Sequence, residues 1–168
     1  MDRVLEAKEK ALKNIRIADH MLTQTYPLVN DPKLLLSILE NVFLSLTNAM
    51  AALLHHERMQ KKIPPFQENF ESKFHMLQSM VASKHRIRGY TISPEQLRFI
   101  QEIKDAVIAH RKSPMEFVRK DSFIICTDDN YGMKMLSVEA MKQYISKAKQ
   151  FILEVNKVLE EGLQQEVR

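Results

Sequence analysis

An all-α fold is expected: a single up-and-down bundle of about five helices, with a small β-hairpin inserted near residues 122–136. Three observations predict it. With 3 Gly and 6 Pro in 168 residues, the chain lacks the turn residues that a many-stranded protein spends. Apolar side chains recur at steps of three and four along most of the sequence, which is the period of a helix face. A single short run, Ser122-Phe123-Ile124-Ile125-Cys126, is β-prone, and turn residues follow it. The length suits one domain spanning residues 1–168, with no repeat, low-complexity tract or linker to divide it.

The first segment, Asp2 to Thr25, places Val4, Ala7, Ala11, Ile15, Ala18 and Leu22 on one helix face, and Pro27 is expected to end it. Asp31-Pro32 then offers an N-cap residue with proline at the first helical position, where a missing N–H costs nothing. The helix it starts runs from Leu34 to about Lys61. Leu35, Leu39, Val42, Phe43, Leu46, Met50 and Leu54 make it apolar on most of its circumference. Such a helix is central or faces a second subunit, and a homodimer is the expected assembly. Ser37, Glu40, Asn41, Ser45, Thr47 and Asn48 interrupt it, so no membrane span is expected.

After Pro64-Pro65, residues Phe66, Phe70, Phe74, Leu77 and Val81 fall at helical steps and predict a third helix. Residues 83–90 lose periodicity and read as a basic loop. Ser93-Pro94-Glu95-Gln96 is a capping box that opens a fourth helix carrying Leu97, Ile100, Ile103, Val107 and His110 and ending near Lys112. Ser113-Pro114-Met115-Glu116 repeats that pattern and predicts a short helical turn holding Phe117. After the hairpin, Ser137 caps a last helix with a seam of Val138, Met141, Ile145, Ala148, Ile152, Val155 and Leu159, flanked by Tyr144, Phe151 and Val158. That seam requires a long partner helix.

The lone Cys126 excludes an internal disulfide framework and a Cys-based zinc site. Met1-Asp2-Arg3 lacks the basic-then-apolar order of a secretory signal, so a cytoplasmic location is expected. Glycine-rich phosphate loops and nucleophile elbows do not occur in the sequence, and no cofactor is expected. His55-His56-Glu57 superficially suggests a metal site, but adjacent residues point about 100° apart on a helix and cannot both ligate one ion. The triplet reads as the polar end of the second helix, and no metal site is expected. Arg16 and His20, one turn apart beside Asp19, read as a surface charge network. Asp128, Asn130 and Gly132 place glycine at the fifth position, where a calcium loop needs it at the sixth, and so read as a hairpin turn.

His110 is the candidate catalytic residue. It stands near a helix end in Lys104-Asp105-Ala106-Val107-Ile108-Ala109-His110-Arg111-Lys112. Here the chain resembles the HEPN family of small helical bundles, whose motif is an arginine, four to six residues, then histidine; Ile108-Ala109-His110 matches its ending. The motif arginine is missing, since Lys104 and Asp105 occupy its window. The resemblance implies a helical bundle and, in ribonuclease members, an arginine and a histidine acting on the scissile phosphate across a dimer. Lysine offers a point charge instead of a planar fork. Lys104 is also about 240° around the helix from His110. A structural histidine, partly buried or favourably charged at a helix C-terminus, is the competing reading.

Basic residues gather in two runs. Lys84, Arg86, Arg88 and Arg98 stand against Glu95, and Lys104, Arg111, Lys112, Arg119 and Lys120 against Asp105 and Glu116. Each run carries an excess of three positive charges, against a net charge of +4 for the chain. Folded together they would form one phosphate-attracting patch, with Tyr90 as a stacking group. The expected function is therefore HEPN-like and non-catalytic: binding of RNA, DNA or a nucleotide through Lys84, Arg86, Arg88, Tyr90, Lys104, Arg111, Lys112 and Arg119. The alternatives are a homodimeric interaction protein with no nucleic-acid role and a metal-independent ribonuclease using His110.

Overall fold

The computed structural model describes residues 2–84, 87, 92–127 and 132–167. Helix α1 (Asp2–His20) widens into one π-helical turn (Met21–Thr25) and closes as a last α-helical turn, α2 (Tyr26–Val29). Pro27 therefore does not end the first helix, contrary to expectation. The Tyr26 N–H reaches back five residues to the Met21 carbonyl, so the backbone is already open where a proline ring would otherwise meet the carbonyl four residues behind it. The stop comes at Asn30, left-handed at φ 52°, a conformation that asparagine tolerates.

Asp31 caps the next helix, its carboxylate accepting the Lys33 N–H at 3.0 Å. The first turn is tight, with Leu34 and Leu35 donating to the carbonyls of Asp31 and Pro32, and regular α3 spans Leu34–Met59. Lys61, left-handed at φ 57°, closes it while the Lys62 N–H returns to the Glu57 carbonyl at 3.0 Å. Helix α4 (Phe70–Ala82) starts later than the aromatic spacing predicts. The Asn69 side chain accepts the Ser72 N–H at 2.8 Å and sets the start, leaving Phe66 in the preceding loop. Helix α5 (Pro94–Lys112) opens on the expected capping box: Ser93 N–H donates to Gln96 Oε1 at 3.0 Å, and Gln96 N–H donates to Ser93 Oγ at 3.1 Å.

The predicted helical turn at Phe117 is instead a strand. β1 (Glu116–Arg119), β2 (Ser122–Cys126) and β3 (Met133–Leu136) form an antiparallel sheet in that order, so the insertion is one strand larger than a hairpin. Pairing decides this: Phe117 faces Ile124 and Val118 faces Phe123 across the ladder, a contact that the capping pattern of Ser113 cannot register. The Ser113 hydroxyl turns to the Cys126 carbonyl at 2.8 Å, and the Cys126 N–H donates to the Met115 carbonyl at 3.0 Å. Between β2 and β3 the Thr127 N–H donates to the Gly132 carbonyl at 2.8 Å. Asp128 and Asn130, read as turn residues, lie outside the described residues. Helix α6 (Val138–Glu166) follows, its Ser137 cap accepting the Ala140 N–H at 3.1 Å.

Helix α3 is the hub of a mostly helical bundle, packed by α1, α4, α5 and α6. Leu35, Ile38, Leu39, Val42, Leu46, Met50, Leu53 and Leu54 are fully buried there. Most of its apolar circumference is thus covered within one chain, with Leu44 and Met59 left exposed, so the bundle itself accounts for most of the apolar surface that suggested a second subunit. By length and composition α3 could cross a membrane, but half of its apolar stretch is buried inside the bundle, as befits a core helix. The α6 seam finds its long partner in α3, with Met141, Ile145, Ala148, Ile152, Val155 and Leu159 all buried.

Candidate functional site

His110 occupies the last turn of α5, and the chain turns back just beyond it into β1. That reversal brings Glu116 to the imidazole, with Oε1 2.5 Å from Nδ1. Both side chains are partly covered, at 28% and 23% exposure. The pair ties the helix end to the sheet. It also fixes which ring nitrogen is left for chemistry, since a carboxylate on Nδ1 leaves Nε2 as the nitrogen able to exchange a proton.

Lys104 does not join His110. It lies on the side of α5 that faces α4, ion-paired with Glu71 and 4.9 Å above the Phe70 ring. The six-residue spacing places the two on different faces, as the helix period requires. With its charge met by a carboxylate and an aromatic face, Lys104 is occupied within the fold.

Arg111 and Lys112 are exposed beside His110, and Arg119 and Lys120 are exposed at the turn after β1. Among the described residues none of these four has an ion-pair partner. Arg119 is three residues beyond Glu116, about 10 Å along an extended strand, so the second basic run divides into a helix-end pair and a strand-end pair. Lys84 lies two residues beyond the end of α4, exposed and left-handed at φ 53°. Arg86, Arg88 and Tyr90 lie outside the described residues.

The triplet His55-His56-Glu57 is the largest departure from the sequence reading. It is not a polar helix end. All three residues are buried, Glu57 completely. His56 Nδ1 stands 3.3 Å from Glu57 Oε1, and the ring packs on Gly162 of α6. His55 points elsewhere, its ring tilted against Phe66 with centroids 5.0 Å apart and Nε2 2.8 Å from Glu68 Oε1. Adjacent histidines thus diverge to separate partners, as helix geometry demands. Among the described residues no cluster of three or more His, Cys, Asp or Glu side chains is placed to hold a metal.

Burial pushes the His55 imidazole below its ordinary value and outweighs the opposing pull of Glu68. Glu68, in the loop ahead of α4, also takes Lys73 Nζ at 3.3 Å. Its carboxyl is held below the usual range, because the neighbouring cations outweigh a desolvation effect of the opposite sign. Two signals in the sequence point to this cluster. Ala51-Ala52-Leu53-Leu54 continues the apolar circumference up to His55, and Gly162 stands alone inside a helical pattern, where a glycine usually answers a packing need. Arg16 and His20 are exposed, and Asp19 beside them pairs across to Lys149 of α6 at 2.9 Å.

No protein-family model, no curated protein and no solved structure matches this chain.

Proposed function

We propose that this chain is a HEPN-like helical-bundle protein, non-catalytic, that binds nucleic acid or a nucleotide through the basic cluster around the end of α5 and β1. The observation that supports this reading is the exposure of Arg111, Lys112, Arg119 and Lys120, none of them neutralised by a carboxylate among the described residues. Such cations can release counterions from a phosphate backbone when they bind it. Lys104 is left out of the interface, since Glu71 and Phe70 hold it.

Salt-titrated binding to single-stranded RNA, DNA and mononucleotides tests the proposal. Binding should weaken steeply with salt, and replacing Arg86, Arg88, Arg111 and Arg119 with Ala should abolish it, with the exposed Arg111 and Arg119 changes alone leaving the melting temperature nearly unaltered. Absence of any salt-sensitive binding by the unchanged protein disposes of the reading.

One observation favours the ribonuclease alternative: Glu116 orients His110 as a carboxylate orients a general base. RNA cleavage by the unchanged protein, lost in a stably folded His110→Ala variant, would establish it. The homodimer is proposed on the outer face of the sheet instead of α3. Met115, Phe117, Met133 and Met135 are exposed there, and sedimentation at about 20 kDa over a wide concentration range would refute that assembly.

A further inference from the structure

Between α1, α3 and α4 lies a cleft of about 380 Å³ whose lining includes Arg3, Lys10, Asn48, His55, Glu68 and Lys73. It shares no residue with the basic cluster at the end of α5. Three nitrogen groups from three helices converge in it on one carboxylate. Glu68 takes His55 Nε2 at 2.8 Å on Oε1 and Lys73 Nζ at 3.3 Å on Oε2, with Arg3 Nη1 3.9 Å from Oε1. The side chains of His55 and Lys73 are each only 9% exposed, whereas that of Glu68 is 57% exposed. Two donors are therefore fixed in the wall, and the anion they hold sits on the solvent side.

The charges around the cleft leave an excess. Arg3, Lys10 and Lys73 face Glu6 and Glu68, and Lys10 already holds Glu6 at 2.6 Å. With Glu68 turned out to water, the buried Lys73 and the exposed Arg3 at the rim leave two positive charges unmatched, the charge of a phosphate dianion. We propose that the cleft binds the phosphate group of a small phosphorylated molecule, and that Glu68 is an intramolecular stand-in which the phosphate displaces.

A tetrahedral dianion can accept from His55, Lys73 and the Arg3 fork at once, where Glu68 shares two oxygens among them. An ion pair with so exposed a carboxylate is held weakly, so exchange is cheap. The volume falls at the small end of ligand clefts and leaves room for a modest body beside the phosphate, against Ala7, Ala51 and the Asn48 amide. The charged groups facing His55 are Arg3 from α1, Lys73 from α4 and Glu68 from the loop. Exchanging one carboxylate for a dianion strengthens the pull on a proton at His55, opposing the burial that holds the imidazole below its ordinary value.

Titration with inorganic phosphate, at constant ionic strength and followed by the His55 imidazole resonances, tests this. The unchanged protein should give a saturable shift, with affinity raised about tenfold in Glu68→Gln and lowered at least tenfold in Lys73→Met. Acetate at equal concentration should shift the resonances far less. No saturable shift in either the unchanged protein or Glu68→Gln overturns the proposal, as does a Glu68→Gln affinity no higher than the original. Acetate matching phosphate overturns the assignment to a dianion. Should Lys73→Met fail to fold, the Glu68→Gln comparison decides alone.

Discussion

A β-carbon added to Gly162 would stand 2.6 Å from Nε2 of His56, so α6 passes the end of α3 over a glycine because a buried imidazole fills the space. Glu57 contacts the other ring nitrogen at 3.3 Å. The ring is rigid and enclosed, and it cannot retreat as the tip of an exposed lysine would.

Gly162→Ala should therefore destabilise the fold by about 1 kcal/mol, although alanine ordinarily gains about 1 kcal/mol over glycine inside a helix. With His56→Ala in the same chain the sign should reverse, since the space is then free. Urea denaturation of the two single variants and the double variant measures this coupling. A stabilised Gly162→Ala on the His56 background would contradict the close contact.

Stability should fall as pH drops below the ordinary imidazole value of 6.5, because burial holds the His55 imidazole beneath it. The unfolded chain then takes a proton that the folded chain resists, so the contribution is complete above the unfolded pKa and declines below it. Glu68, whose carboxyl is also held low, adds a loss of the same sign at pH values below its ordinary 4.5. His55→Gln should flatten the upper window and shrink the lower one without abolishing it, since Lys73 and Arg3 still hold Glu68 low, a difference visible in melting temperatures across pH 4 to 8.

Tyr144 should titrate well above the ordinary phenol value of 10.0. Burial, and then its hydrogen bond to Glu102 at 2.9 Å, push the phenol up to about 12. Its raised value contributes stability that is complete below pH 10 and lost as pH rises toward 12, where the unfolded phenol ionises first. Ultraviolet absorbance titration should show a late phenolate component that Tyr144→Phe removes.

Ser93→Ala should cost about 1 kcal/mol, because the Gln96 N–H loses its acceptor and the reciprocal Gln96 contact loses its frame. Gln96 also donates to Glu154 of α6 at 2.7 Å, so the start of α5 is tied to the far side of the bundle. Thermal unfolding that is unchanged in Ser93→Ala would show that this tie alone sets the helix start.

Helix faces were legible because they are local. The Val4-to-Leu22 spacing, the Ser93 capping box and the Met141-to-Leu159 seam each lie within one element, and the burial of those apolar faces follows the spacing. The errors fell where a distant partner outweighed a local signal. Ser113-Pro114 has the local grammar of a helix start, but β2 offered Phe117 and Val118 a ladder. Pro27 is a local stop, but a wider turn absorbed it.

By itself the sequence determined a helical bundle, the place of a small β insertion and the separation of Lys104 from His110, since each follows from a pattern within one element, while it left α3 as either central or facing a second subunit. Tertiary structure alone decided what the polar side chains do. His110 meets Glu116 only because the chain reverses into β1. His55 and His56, adjacent in sequence, part to Glu68 and Gly162 only because a loop and α6 close over the end of α3. The physical reason is the range of the interactions: helix period acts over four residues, whereas burial and charge pairing depend on whichever segment folding brings alongside.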